Sequence, residues 1–188
     1  MGIRQIYLVR HGQHIKDKKL DPGSLGPSLT GLGIRQAKHT AKALSTIGIN
    51  AVHCSSLTRA KQTAEIIALA FPGIKVRPSR LLWECVPTRI KSLPIDKNTI
   101  EQDRERAERV LLKHFKPARV DRHEIIVAHG NLIRYLVCRV LGLRRTAWSK
   151  LGTFNCSITR VMIDPKGPKI LLSFNENHHI PSTLRTSI

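Results

Sequence analysis

The chain has 188 residues and 41% hydrophobic content, which fits a single domain over residues 1–188, and no run approaches the roughly 18 apolar residues of a membrane-spanning helix. Lys and Arg outnumber Asp and Glu 32 to 13, a formal charge of +19 that divides as +7, +6 and +6 over residues 1–60, 61–122 and 123–188. With no basic tail and only 4% aromatic residues, the composition argues against specific nucleic-acid binding and for a cationic surface that attracts anions.

In chain order, "IRQIYLV" (3–9) reads as a strand, and residues 30–48 read as a helix presenting Leu32, Ala37, Ala41 and Leu44 on one face and stopping near Gly48. "AVHC" (51–54) is a short strand, residues 58–71 a helix closed by Pro72 and Gly73, and "IKV" (74–76) another short strand. Residues 99–115 form a helix with Ile100, Ala107, Leu111 and Phe115 near one face and Glu105 placed to pair with Arg109. "EIIVA" (124–128) is an apolar strand, and residues 131–142 a helix stopped by Gly142. "SITRVMI" and "KILLSF" form a hairpin around residues 164–168. Alternating strands and helices predict an α/β three-layer sandwich, with a largely parallel central sheet and antiparallel strands near the C-terminus.

In such folds ligands bind beyond the carboxyl ends of the parallel strands. Two strand ends carry similar chemistry: "YLV" delivers Arg10 and His11, and "IIVA" delivers His129 and Gly130. In "CSSLTRAKQT", Thr58 is a candidate helix cap, which puts Arg59 in the first turn beside backbone N–H groups that favour anions. Two histidines and two arginines in one crevice suit a dianionic group, a phosphoryl group above all.

At these residues a family resemblance becomes specific. "LVRHGQ", "SSLTRAKQTAEI", "LLWE" and "IIVAHGNLIRYLV", in this order, resemble the motifs of the histidine phosphatase superfamily, the phosphoglycerate mutase-like fold, with "LTGLGIRQA" and "FNENHHIPSTL" extending the likeness to most of the chain. The wording around residues 55–65 and 128–141 is most similar to the mitochondrial member that dephosphorylates serine and threonine in proteins. That member's N-terminal membrane and assembly segment has no counterpart here, and Gly12 stands where it carries serine.

The resemblance implies His11 as the phosphoryl-accepting nucleophile, with one ring nitrogen held as a donor to fix the tautomer. It implies Arg10, Arg59 and His129 as the groups that bind the phosphoryl oxygens, and Glu84, beside Trp83 and Val86, as proton donor to the leaving oxygen. Gly12 would let the backbone pass close beneath the phosphate. Gln13, Ser56 and Gly130 are further candidate phosphate contacts, while the asparagine that often follows RHG by a few residues in the family has no clear counterpart in "QHIKDKK".

No cofactor or metal is expected: His11 and His14, and the adjacent His178 and His179, lack a carboxylate or cysteine set at zinc-ligand spacing. Cys54, Cys85, Cys138 and Cys156 form no CxxC pair and read as reduced thiols. With no leader in evidence, a cytoplasmic location is expected, and a homo-oligomer is possible. Only 44 residues separate Glu84 from His129, too few for the insertion with which mutases of the family cover a small substrate. Lys16, Lys18, Lys19, Arg89 and Lys91 give the crevice a cationic rim. The reading is therefore a metal-independent phosphomonoesterase acting on phosphoserine and phosphothreonine proteins. A phosphatase of small phosphate esters or of phosphohistidine, a phosphoglycerate mutase, and a cationic binding or scaffold protein are the alternatives.

Overall fold

The computed structural model describes residues 1–16, 25–90 and 94–187. Its elements are β1 (Arg4–Arg10), α1 (Gly31–Leu44), β2 (Ala51–Ser55), α2 (Thr58–Ala68), β3 (Val76–Ser79), α3 (Lys97–His114), β4 (Arg122–Ala128), α4 (Gly130–Val140), β5 (Ile158–Ile163) and β6 (Lys169–Glu176). The strands form one six-stranded sheet in the order β3-β2-β4-β1-β5-β6. β3, β2, β4 and β1 run parallel, and β5 and β6 add the antiparallel pair expected from the C-terminal sequence.

Period-2 alternation divides the core between the two faces of the sheet. Ile6, Leu8, Ile126 and Ala128 point to one face, where they pack with Ala107 and Val110 of α3 and Leu132, Ile133 and Leu136 of α4. Tyr7, Val9, Ile125 and Val127 point to the other, against Ala41 and Leu44 of α1 and Ala60, Ala64 and Ile67 of α2. The result is an α/β/α sandwich. Each buried Ile or Leu contributes about 1.5–3 kcal/mol, so the doubly covered central strands β4 and β1 are the firmest part of the molecule.

Several boundaries differ from the sequence reading, each for a local reason. α1 stops at Leu44 rather than near Gly48, because the Ser45 hydroxyl donates to the Lys42 carbonyl at 2.9 Å and diverts the backbone from further helical bonding. The strand expected at 74–76 lies instead at Val76–Ser79 and includes Pro78, which an edge strand tolerates because it pairs on one side only. α3 carries ion pairs Glu101–Arg104 and Asp103–Arg106, and Glu108 pairs with Arg139 of α4. Among the described residues these replace the expected Glu105–Arg109 pair. Short 3₁₀ turns at Arg80–Leu82, Arg145–Lys150 and Ser182–Leu184 have too little periodicity to be read from sequence. No described helix is long and apolar enough to cross a membrane.

Candidate active site

β1 and β4 are parallel neighbours with Arg10 opposite Ala128, so the residues that follow them, His11 and His129, leave the sheet side by side. The His11 amide donates to the Ala128 carbonyl at 3.0 Å, and the two imidazoles lie 5.1 Å apart, centroid to centroid, in an edge-on arrangement. Both rings are buried, with His11 3% and His129 0% exposed. α2, entered directly from β2, brings the Arg59 guanidinium between them. Its Nε donates to His11 Nε2 at 3.2 Å and its Nη2 lies 3.1 Å from His129 Nδ1.

A guanidinium can only donate, and this fixes the protons on both rings. His11 Nε2 must hold a lone pair, so its Nδ1 carries the proton and donates to the Gly12 carbonyl at 2.8 Å. His129 Nδ1 likewise accepts, leaving Nε2–H to donate to the Ser55 hydroxyl at 2.8 Å. Burial pushes the pKa of His11 well down, and the charge of Arg59 pushes it further. Burial also depresses His129, aided by His11 and Arg59. Both rings are consequently neutral at pH 7.

Arg10 is 6% exposed and donates from Nη1 to the Thr153 carbonyl at 2.6 Å, while its buried Nε has no hydrogen-bond partner among the described residues. Such a donor is held ready for an anion. A cleft of about 160 Å³ is lined by Arg10, Glu84, Gly130, Asn131, Arg134 and Thr153. In it the Glu84 carboxylate accepts from the amides of Cys85 (3.0 Å), Leu132 (3.2 Å) and Asn131 (3.4 Å), the last two being free donors of the first turn of α4. Burial raises the pKa of Glu84, outweighing these three hydrogen bonds and Arg59, all of which lower it. The loop bearing Glu84 is tied to α3: Arg106 donates to the carbonyls of Trp83 (2.7 Å) and Glu84 (2.9 Å), and Asp103 accepts from the Val86 amide (2.7 Å).

The remaining candidates sit around this centre in different ways. Ser56 accepts from the Trp83 indole at 2.7 Å, so it anchors the Glu84 loop, and it is the neighbouring Ser55 that reaches His129. Gln13 accepts at its side chain from Thr30, the N-cap of α1, and its backbone amide donates to Gln36. At Gly12 a Cβ would approach the Gly33 carbonyl to 2.6 Å, so α1 packs closely against this glycine. At Gly130 a Cβ would lie 3.1 Å from the Thr153 hydroxyl and 3.4 Å from Arg10 Nε. Lys16 and Arg89 are exposed, whereas Lys18, Lys19 and Lys91 lie outside the described residues.

Residues that the sequence reading missed hold the loop after β1 in place. Thr63 donates to the Arg59 carbonyl at 2.7 Å and accepts from the Gly12 amide at 3.1 Å, and Asn155 donates to the His11 carbonyl at 2.9 Å. Thr63, four residues after Arg59 on the same helix, is the one that spacing could have suggested.

The chain is similar to known proteins over most of its length. The family model "Histidine phosphatase superfamily (branch 1)" matches residues 6–90 and 80–176. Serine/threonine-protein phosphatase PGAM5, mitochondrial, of Xenopus tropicalis is 35% identical over 188 residues, covering 95% of this chain and 66% of that protein. The human protein of the same name is 31% identical over 95% of this chain and 64% of its own length. The chain thus spans about two thirds of the length of these relatives. Among solved structures, a Plasmodium falciparum phosphoglycerate mutase is 28% identical with a TM-score of 0.68, covering 97% of this chain and 96% of that one. An Entamoeba histolytica phosphoserine phosphatase in complex with 3-phosphoglyceric acid shares the fold, at 22% identity, a TM-score of 0.74 and coverage of 95% and 100%.

These relatives overturn the cytoplasmic location expected from sequence, since they are named mitochondrial. The four cysteines are free and buried, and reduced thiols of this kind do not distinguish the cytoplasm from another reducing compartment. Ordered motifs on the predicted strand ends, the six-stranded sandwich and a match that runs from β1 to β6 lead to one assignment: this chain belongs to the histidine phosphatase superfamily, branch 1.

Proposed function

We propose that the chain is a phosphoric monoester hydrolase that transfers the phosphoryl group to His11 and then to water, with phosphoserine and phosphothreonine of proteins as its substrates. One observation carries the mechanism: the His11 Nδ1–H donates to Gly12 O, so Nε2 presents a lone pair beside Arg59 and His129. Nε2 attacks phosphorus while the bond to the alcohol oxygen breaks, and that oxygen takes the proton of Glu84. Arg10 and Arg59 offset the charge on the phosphoryl oxygens, which is where catalysis of phosphoryl transfer chiefly lies. His129, neutral in the free site, takes up a proton at Nδ1 from solvent when a dianion binds beside it, because the opposite charge favours the imidazolium. In the second half, the Glu84 carboxylate accepts a proton from the water that attacks phosphorus; the P–N bond breaks and His11 returns to its neutral form.

Nucleophile, charge compensation and acid are all supplied by side chains, so this mechanism requires no metal. Three features favour a protein substrate: the short connection from Glu84 to His129, exposed cations at Lys16 and Arg89, and the serine/threonine-protein phosphatase names of the relatives. The same names favour a mitochondrial location. Assays with an aryl phosphate, phosphoserine and phosphothreonine peptides, and 3-phosphoglycerate, each with and without a chelator, test the reading. We expect chelator-insensitive turnover and a higher kcat/KM for the peptides than for 3-phosphoglycerate. An obligatory divalent ion would sink the mechanism, and a preference for 3-phosphoglycerate would sink the protein substrate.

A further inference from the structure

Away from the carboxyl edge of the sheet the fold assembles a second cluster of ligating side chains. His53 lies in the middle of β2 and Glu124 near the start of β4, and these strands pair with Ala51 opposite Glu124 and His53 opposite Ile126. By strand alternation His53, Ile126 and Glu124 project from one face, the face covered by α3, whose last turn delivers His114. One ligating atom of each residue lies within 4.8 Å of those of the other two. The two imidazoles are 4.8 Å apart at their centroids and inclined at 70°. Glu124 stands near the start of β4 and His129 directly after its end, five residues on and roughly 16 Å away at about 3.3 Å per residue, so the cluster is separate from the candidate active site.

A second observation points to a ligand. His114 is 4% exposed, and its Nε2 is buried without a hydrogen-bond partner among the described residues. An imidazole nitrogen left unpaired in the interior costs about 1–3 kcal/mol unless something occupies it. Glu124 is equally buried, while His53 is partly exposed and opens a route to solvent. The carboxylate is oriented by Arg122 at 3.0 Å and Arg4 at 4.0 Å, both approaching Oε1, and Arg4 also donates to the His114 carbonyl at 2.8 Å.

We propose that His53, His114 and Glu124 form a binding site for a divalent transition-metal ion, zinc above all. Two imidazoles and one carboxylate suit zinc and its neighbours, whereas magnesium and calcium take oxygen sets. Bonds of about 2.0–2.2 Å in tetrahedral geometry require ligand atoms about 3.4 Å apart, so a small side-chain rotation closes the cluster and leaves a fourth position for water. Arg4 and Arg122 act as outer partners of the carboxylate, and their positive charge limits the affinity. The bound ion joins β2, β4 and α3, elements distant in sequence, and it stabilises the fold by mass action. The HxxH pair and the adjacent C-terminal histidines take no part.

The test uses the full chain stripped with a chelator and then titrated with ZnCl2, with affinity read by competition against a chromophoric chelator. Thermal unfolding and the visible absorption of bound Co2+ provide independent readings. We expect one equivalent of zinc, a rise in Tm, and tetrahedral Co2+ bands, all retained in the double variant His11→Ala/His129→Ala and in His178→Ala/His179→Ala. His53→Ala and Glu124→Gln are expected to weaken binding by more than about 100-fold, beyond the loss that removal of an outer partner causes. His53 is partly exposed and Glu124→Gln conserves shape, so these variants remain informative if His114→Ala fails to fold. The proposal is overturned if the wild type takes up no zinc, if both variants bind it as the wild type does, or if binding disappears with His11 and His129.

Discussion

His11 and Glu84 are displaced in opposite directions from their ordinary protonation behaviour, and the mechanism proposed above requires both displacements. His11 must be unprotonated to attack, and burial holds its pKa well below the ordinary 6.5; Glu84 must be protonated to donate, and burial raises it above 4.5. kcat/KM is therefore expected to follow a bell whose acid limb lies below 6.5 and whose alkaline limb lies above 4.5. Arg59 lowers both groups, so Arg59→Gln is expected to move both limbs to higher pH while reducing the maximum by about 10²–10³-fold. A profile unchanged in position would show that Arg59 does not act electrostatically on the two groups. Leaving-group dependence isolates Glu84. Glu84→Gln is expected to lose about 10²–10⁴-fold on phosphoserine, whose alkoxide leaves poorly, and much less on an aryl phosphate that departs as a phenolate. Equal losses, with chemistry rate-limiting, would assign the proton to another donor.

At the scale of elements, the site depends on how closely α1 approaches the loop after β1. A Cβ at Gly33 would lie 2.0 Å from the Gln13 carbonyl, so Gly33→Ala must push the helix from the loop after β1 that carries His11. A destabilisation of about 1–3 kcal/mol, measured by urea unfolding, is expected together with reduced kcat. Wild-type stability would contradict this close packing. The same contact marks the limit of what the sequence discloses. Arg10, His11, Arg59 and His129 were legible as candidates because they sit in ordered motifs next to strand ends or helix starts, and Glu84 because it sits in the "LLWE" motif. Thr63, Asn155, Ser55 and Arg106 were not, because a threonine, an asparagine, a serine or an arginine has many ordinary places. Asn155 meets His11 only through a contact spanning 144 residues. His53, His114 and Glu124 were invisible for the same reason, since strand pairing and α3 packing alone unite them. The short edge strand at Val76–Ser79 was misplaced because pairing on one side, rather than apolar content, sets its extent.

For the whole molecule, the charge of +19 is spread along the sequence rather than gathered in one segment, and a net charge of this size sets up a long-range field. It is expected to raise the encounter rate with acidic phosphopeptides more than with a small aryl phosphate. Raising ionic strength from about 0.01 to 0.15 M shortens the Debye length from about 30 to about 8 Å, and kcat/KM for an acidic phosphopeptide is expected to fall the more steeply of the two. Parallel salt dependences would restrict the charge to a role in solubility.

The central claim, that His11 carries the phosphoryl group between substrate and water, is tested most directly by trapping the intermediate. Labelled aryl phosphate is mixed with the protein, quenched within a turnover under alkaline denaturing conditions that preserve phosphohistidine, and the labelled peptide is sequenced by mass spectrometry. The account predicts label on His11, absent from a folded and inactive His11→Ala protein. Label on another residue, or turnover by His11→Ala without label, would contradict it.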